Sequence, residues 1–521
     1  MATGCAGRPC HQTTSTSHRL AVQAQKRFHF HNRSVKSGDG EAILRVVRSR
    51  LNPPALPCPT RLIMNALSAP SLSRREMLRA SALVGGAWLA GARLFAGGAV
   101  KPRPKVAALF TELRFRSHAY NILENFFEPY LFCGELVDPG CDVVSFYADQ
   151  FPDGDLAREV SKRFNVPLYK TIDEAMCRGG KELAVDAVLL IGEHGDYPHN
   201  ELHQHLYPRK QFFDQAVAVM RRAGRYLPLF NDKHLSYRWD WAKEMYDTAR
   251  RNGFPLMAGS SVPLAERRPP LELPAGTEFE SALVVQGGGM EVYGFHGLEV
   301  LQSIVEARRG GETGIHSVEV VVGDAFQRGA KEGRWPQELF DAAMTAERNI
   351  GVTRQPRPSA GNVQPPPPAR QNDPTLQDHA ILVTYRDGLK AAVVRSGSES
   401  SRWNFACRVK GESQPQASAF FNGPWGNRNL FKALSHAIQY LFVERREPYP
   451  VERTLLTTGA IEAAMKSFAA GKAIETPHLD IAYQPVDFRA FRENGASWRR
   501  LTADIPQPSD FEPGDAKRLA N

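Results

Sequence analysis

The sequence predicts an α/β fold: a doubly wound parallel sheet followed by an α+β domain with a large, mostly antiparallel, open sheet. Three observations predict it. From Lys105 to Pro263, short apolar runs such as VAALF (106–110) and VDAVLLIG (185–192) alternate with amphipathic stretches. Runs without polar alternation suit strands covered on both faces by crossover helices. Beyond about Leu264 the runs lengthen, and Asp387-Gly388 marks a hairpin turn inside HAILVTYRDGLKAAVVRSG (379–397). Once the N-terminal segments are set aside, about 420 residues remain, enough for two domains.

In chain order, residues 1–63 mix His, Arg, Pro and Cys without periodicity and read as a disordered or over-extended leader. Residues 64–99 begin at Met64 and carry Ser73-Arg74-Arg75 with Leu78, a weakly apolar Gly/Ala-rich stretch, and small residues at Gly97–Ala99. That is the layout of a twin-arginine export signal, which directs a protein to the periplasm or outside. Arg93 and the glycines interrupt the stretch, so no stable membrane anchor is expected.

The domain at 104–263 then alternates strand and helix. VAALF is a strand, 117–127 a helix, DVVSFYAD (142–149) a strand, and 156–165 a helix. IDEAMCRGG forms a short helix, VDAVLLIG a buried strand, and 211–224 a helix closed by Gly224. YLPLFND is a strand, 236–253 a helix ended by Gly253, and FPLMAGS a last strand. In the domain at 264–500, strands fall at 279–286, 316–326, 379–397, WNFACRVKG and SAFFN, with helices at about 296–309 and 427–446. The segment 354–374, with Pro365–Pro368, reads as a mobile surface loop, and 501–521 as a tail.

The formal charge of +9 comes from the N-terminus. Residues 1–63 hold ten Lys/Arg against Asp39 and Glu41, and 64–100 hold four arginines against Glu76, leaving −2 for the rest. A near-neutral body excludes an electrostatic case for nucleic acid. Of seven cysteines, Cys5, Cys10 and Cys58 lie in the leader; Cys133 and Cys141 are spaced to pair across a loop, while Cys177 and Cys407 read as unpaired. No Cys-x-x-Cys occurs, which argues against a zinc ribbon.

The run GEHGDYPHNELHQHLYPRK (192–210) follows the strand VDAVLLI and is crowded with His194, His199, His203 and His205. Ligands bind at the carboxyl edge of open α/β sheets, which is where this loop emerges. His194, Tyr197 and His199 are therefore candidate substrate contacts. If Pro198 starts a helical turn, His199 and His203 share a face; His203 and His205 could instead converge from an extended segment. His194, Asp196 and His199 could supply three metal ligands, but no established zinc spacing is present. Tyr237, Trp239 and Trp241 could stack on a sugar ring or pack as core.

Four further stretches carry a resemblance: YADQFPDGDLAREVSKRFNVPLYKTIDEAM, FNDKHLSYRWDWAKEMYDTARRNGFPLMAGSSV, GGGMEVYGFHGLEVLQSIV and EPYPVERTLLTTGAIEAAMKSFAAGKAI. In this order they resemble the glucose-fructose oxidoreductase, inositol dehydrogenase and rhizopine-catabolism (Gfo/Idh/MocA) family. The resemblance implies a Rossmann-like domain followed by a sheet domain that is commonly a dimer surface, hence a homo-oligomer. It also implies an NAD(P)-dependent oxidoreductase acting on a carbohydrate or polyol.

Position by position, Asp149 matches the residue that holds the cofactor ribose. Lys233 matches the lysine that assists proton transfer, and His296 the active-site histidine. The loop at 195–208 is longer than the family's turn by roughly a dozen residues. The carboxylate usual four residues before the histidine is Val292 here, and His234 stands for a proline. The glycine fingerprint is absent: Phe110, Glu112 and Phe115 take the places of glycines that let backbone approach a pyrophosphate. A metal-assisted lyase or hydrolase centred on His194, Asp196 and His199 is one alternative. A carbohydrate-binding relic without chemistry is another.

Overall fold

A computed structural model describes residues 103–350 and 373–519. The expectations for 1–63 and 64–99, and for all but the last two residues of 354–374, lie outside the described residues.

The first sheet has six parallel strands: β1 (Lys105–Phe110), β2 (Asp142–Ala148), β3 (Leu168–Tyr169), β4 (Ala187–Ile191), β5 (Leu229–Asp232) and β6 (Leu256–Gly259). Their spatial order is β3-β2-β1-β4-β5-β6, the Rossmann order, in which the strand sequence reverses between β1 and β4. β1, β4, β5 and β6 bury both faces, β2 and the edge strand β3 less completely. Val106, Ala108 and Phe110 join one core with Phe146 and Leu189, while Ala107 and Leu109 join the other with Val188 and Leu190. The helices are α1 (His118–Leu123), α2 (Ala157–Arg163), α3 (Ile172–Cys177), α4 (Arg209–Arg222) and α5 (Trp239–Arg251). Ser117 caps α1 and Thr171 caps α3, each accepting a backbone N–H three residues on.

The second sheet has eight strands: β7 (Glu266–Arg268), β8 (Phe279–Gln286), β9 (Ile315–Val322), β10 (His379–Tyr385), β11 (Lys390–Arg395), β12 (Trp403–Val409), β13 (Gln416–Phe421) and β14 (Ile474–Glu475). They lie in the order β14-β9-β10-β11-β8-β12-β13-β7. Only β8–β11 is a parallel pair; the others are antiparallel. One face packs on α6 (Met290–Val305) through Val284, Phe295 and Leu298.

The other face carries α7 (Gly323–Gly329) and α8 (Gln337–Arg348), with Trp335, Leu339 and Ala343 over Leu283, Val285 and Ala406. The helix α9 (Asn427–Glu444) returns to the first sheet's core through Phe431, Leu434 and Ile438, and α10 (Glu452–Ala470) packs on α6 and β9. Residues of the tail are built in. Phe511 sits edge-on to Phe127 and Phe164, and Asp515 accepts from Leu131 N at 2.7 Å and from Lys432 Nζ at 2.7 Å.

Three expectations need correction. The helix expected from 296 begins at Met290, because Gly289 leads straight into an apolar turn, so His296 is mid-helix. Cys133 and Cys141 are free thiols: Cys133 sits at a hairpin turn donating to Arg492 O at 3.3 Å, and Cys141 is fully buried. No helical turn joins His199 to His203. Asn200 Oδ1 instead accepts from Leu202 N at 3.0 Å and Gln204 N at 2.9 Å, reversing the chain so that His199 bridges His205.

Candidate active site

The loops at the carboxyl ends of β1, β4 and β5 meet the N-terminal turns of α6 and α9 around a cleft of about 320 Å³. Lys233 follows β5 directly and takes φ +62°. Reciprocal backbone bonds to Gly259, at 3.2 and 3.1 Å, hold it there. Gly259 is itself at φ +130°, where a Cβ would lie 2.8 Å from Glu299 Oε2. His194 (φ +72°) and Arg116 (φ +63°) line the same cleft. Three left-handed non-glycine residues around one cavity are costly backbone, and such outliers gather at functional sites.

Lys233 donates to buried Glu193, with Nζ 3.0 Å from Oε1, and the guanidinium of Arg209 pairs with the other oxygen. Burial favours the neutral acid, but Lys233 and Arg209 outweigh it and hold the Glu193 carboxyl well below its ordinary range. His118, first residue of α1, sets Nδ1 2.6 Å from Oδ2 of buried Asp232. A carboxylate on one ring nitrogen fixes the tautomer and leaves the other nitrogen for substrate. The His194 ring meets His118 edge-on at 5.1 Å, and its buried Nε2 has no hydrogen-bond partner among the described residues. Burial, then the neighbouring His118, drives the His194 pKa well below 6.5.

From the second domain comes His296, with Nδ1 2.6 Å from Ser260 Oγ. Burial, reinforced by Lys233, likewise keeps it neutral. Tyr293 and Trp403 stack at 5.2 Å to form an aromatic wall, with the His296 ring 5.3 Å from Trp403. The arrangement suits a polyhydroxylated ring: an apolar wall for its face and a ring of donors and acceptors for its hydroxyls.

Of the residues singled out in the sequence, Lys233, His296 and His194 line the cleft; Asp149, Tyr197 and His199 do not. The His199 ring lies tilted against His205 at 3.8 Å, and His205 stacks on Tyr207 at 4.4 Å. Among the described residues no group of three His, Cys, Asp or Glu could hold a metal ion, so His194, Asp196 and His199 do not converge. Trp239 packs beside His478, and Tyr237 beside Trp241, away from the cleft. His118, Asp232 and Glu193 were not singled out, although Asp232 adjoins Lys233 and Glu193 adjoins His194.

The residues of the dinucleotide crevice do not fit a dinucleotide. Leu113 N donates to Asp155 Oδ2 at 2.7 Å and Thr111 N to Ile191 O at 3.2 Å, so these amides are not offered to phosphate. Phe110 and Phe115, at two of the glycine positions, are core side chains. Glu112 is buried against Arg114, and burial raises its pKa despite that arginine. Asp149 does stand just past β2, but its oxygens accept from Tyr147 Oη at 2.7 Å and Tyr197 Oη at 2.5 Å.

No protein-family model matches this chain, and no curated protein matches it. Among solved structures it is similar to GenD2 from gentamicin A biosynthesis, in complex with NAD, at 13% identity and TM-score 0.47, covering 73% of this chain and 98% of that one. It is similar to an oxidoreductase from Agrobacterium radiobacter in complex with NAD+, L-tartaric acid and magnesium (13% identity, TM-score 0.44, 72% and 98% covered). A third is a putative myo-inositol dehydrogenase from Sinorhizobium meliloti 1021 (12% identity, TM-score 0.43, 71% and 99% covered).

Proposed function

We propose that this chain is a divergent, exported member of the Gfo/Idh/MocA family that acts on a carbohydrate or polyol by proton transfer at a substrate hydroxyl. One observation carries the reading: Lys233 and the His118–Asp232 pair face His296 across a single cleft walled by Tyr293 and Trp403. The hydroxyl proton passes to the ring nitrogen of His118 that faces the cleft. Asp232 then stabilises the imidazolium. Lys233, held by Glu193, donates to the oxygen as negative charge develops on it. Neutral His194 and His296 orient neighbouring hydroxyls.

Hydride transfer between C–OH and C=O with NAD(P) is the redox form of this reading. A dinucleotide would supply the hydride acceptor when bound, but the crevice residues are not built for one. Export rests on Ser73-Arg74-Arg75 and the run that follows.

The test is proton NMR of the protein, expressed from Met64 and collected after export, with a panel of sugars and inositols. Saturation transfer to one of them, with product formation lost in Lys233→Met and His118→Gln, is the expected result. A panel that neither binds nor turns over refutes the reading. Retention in the cytoplasm of Arg74→Lys/Arg75→Lys is expected; unchanged export would refute that part.

A further inference from the structure

In a sheet of this order, the loops after β1 and β4 part in opposite directions, and the dinucleotide lies in the crevice between them. Here those loops are fastened together. Thr111 N donates to Ile191 O at 3.2 Å, and Thr111 Oγ1 donates to Glu193 O at 2.7 Å, directly over the switch point. The chain then runs toward β2. Gly195, at φ +99°, hydrogen-bonds the Glu112 carboxyl. Gln150 grips the next residue from both sides, donating to Asp196 O at 3.1 Å and accepting from Asp196 N at 2.8 Å. Finally Tyr197 donates to Asp149, the acceptor a ribose hydroxyl would need.

We infer that the loop from Glu193 to Tyr207 is a built-in occupant of the dinucleotide crevice, which leaves no site there for a dinucleotide. The loop fills the crevice point for point. Its backbone covers the switch point, and the Tyr197 phenol takes the place of the ribose. Its far end is anchored too: His205 N donates to Glu291 Oε1 at 3.2 Å, Gln204 Nε2 donates to Tyr237 O at 2.9 Å, and Arg209 lies over the Tyr207 ring at 5.1 Å. An element fastened to β1, β2, α6 and the turn before α5 is not a lid waiting for a ligand to displace it. The inference does not rest on the proton-transfer reading, because it is carried by the contacts of Gly195–Tyr197 with Glu112, Asp149 and Gln150 and is read by different measurements.

The experiment pairs two measurements on the exported protein. Mass spectrometry of denatured protein, with calorimetric titration of the native protein by NAD+ and NADP+, reports dinucleotide directly. Amide exchange of Asp149→Ala against the parent reports what Asp149 holds. The expected result is no released dinucleotide, no binding heat, and exchange over residues 194–199 about tenfold or more faster in the variant, because a hydrogen bond to a carboxylate is lost. Dinucleotide bound by the parent protein, or exchange over 194–199 unchanged in Asp149→Ala, overturns the inference. Sugar binding, followed separately, decides the function reading and leaves this one untouched.

Discussion

Glu291 anchors the far end of the loop and offers a measurable pH signature. It is buried, accepts from His205 N at 3.2 Å, and lies 4.0 Å from His234 Nε2. Burial and the nearby Glu193 charge raise its pKa from 4.5 to about 7, although Arg209 and Lys233 pull the other way. Between those values the folded protein holds a proton that the unfolded chain has released. The stability linked to Glu291 is therefore fully present below about 4.5 and is lost as pH rises through about 7. At about 1.4 kcal/mol per tenfold change in proton affinity, the loss reaches roughly 3 kcal/mol above neutrality.

Glu291→Gln keeps the acceptor for His205 and removes the titration. Urea unfolding of both proteins at pH 5, 6, 7 and 8 should show the variant gaining stability relative to the parent as pH rises. The gain should approach about 3 kcal/mol, most of it appearing by pH 7. Stability curves that run parallel across this range would refute the reasoning, because Glu291 would then ionise alike in both states.

Three further outcomes are expected. Glu193→Gln leaves Lys233 and Arg209 as neighbouring buried cations, and should cost about 3–5 kcal/mol in urea unfolding; a cost under about 1 kcal/mol would mean that the charges are solvated. Asp232→Asn should lower turnover roughly 10²–10⁴-fold by unsettling the His118 tautomer, while sugar affinity by NMR titration changes little; loss of affinity alone would remove His118 from the proton path. Asn200→Ala removes the acceptor for Leu202 N and Gln204 N, and should speed amide exchange at those two residues about fivefold or more while β4 stays protected.

The parallel sheet was legible because its central strands are buried on both faces, so that VAALF and AVLLI carry no polar residue. The helix α8 went unread, although Leu339, Ala343 and Ala346 recur at helical spacing, since the sheet that buries them lies elsewhere in the chain. In the site, Lys233 and His296 were picked out by the family resemblance and His194 by its place after a buried strand, and all three line the cleft. The partnership of His118 with Asp232 joins residues 114 apart. No local pattern encodes it. The loop misled because histidine spacing suggests helical faces, whereas Asn200 and His203, at φ +61°, impose a reversal.

The same loop that closes the crevice also builds the cleft. Glu193 and His194 face the cleft, while Gly195 to Tyr197 cover the ends of β1 and β2. His194 at φ +72° is where the chain changes direction between these tasks. Such backbone costs of order 1–3 kcal/mol and persists only when its surroundings over-determine it. The surroundings here are the Thr111 bonds on one side and the Glu193–Lys233–Arg209 network on the other. Opening the crevice to a dinucleotide would therefore release Glu193 from its place between Lys233 and Arg209, and with it the group that positions the lysine. In this chain a filled crevice and an ordered cleft are two consequences of one loop conformation.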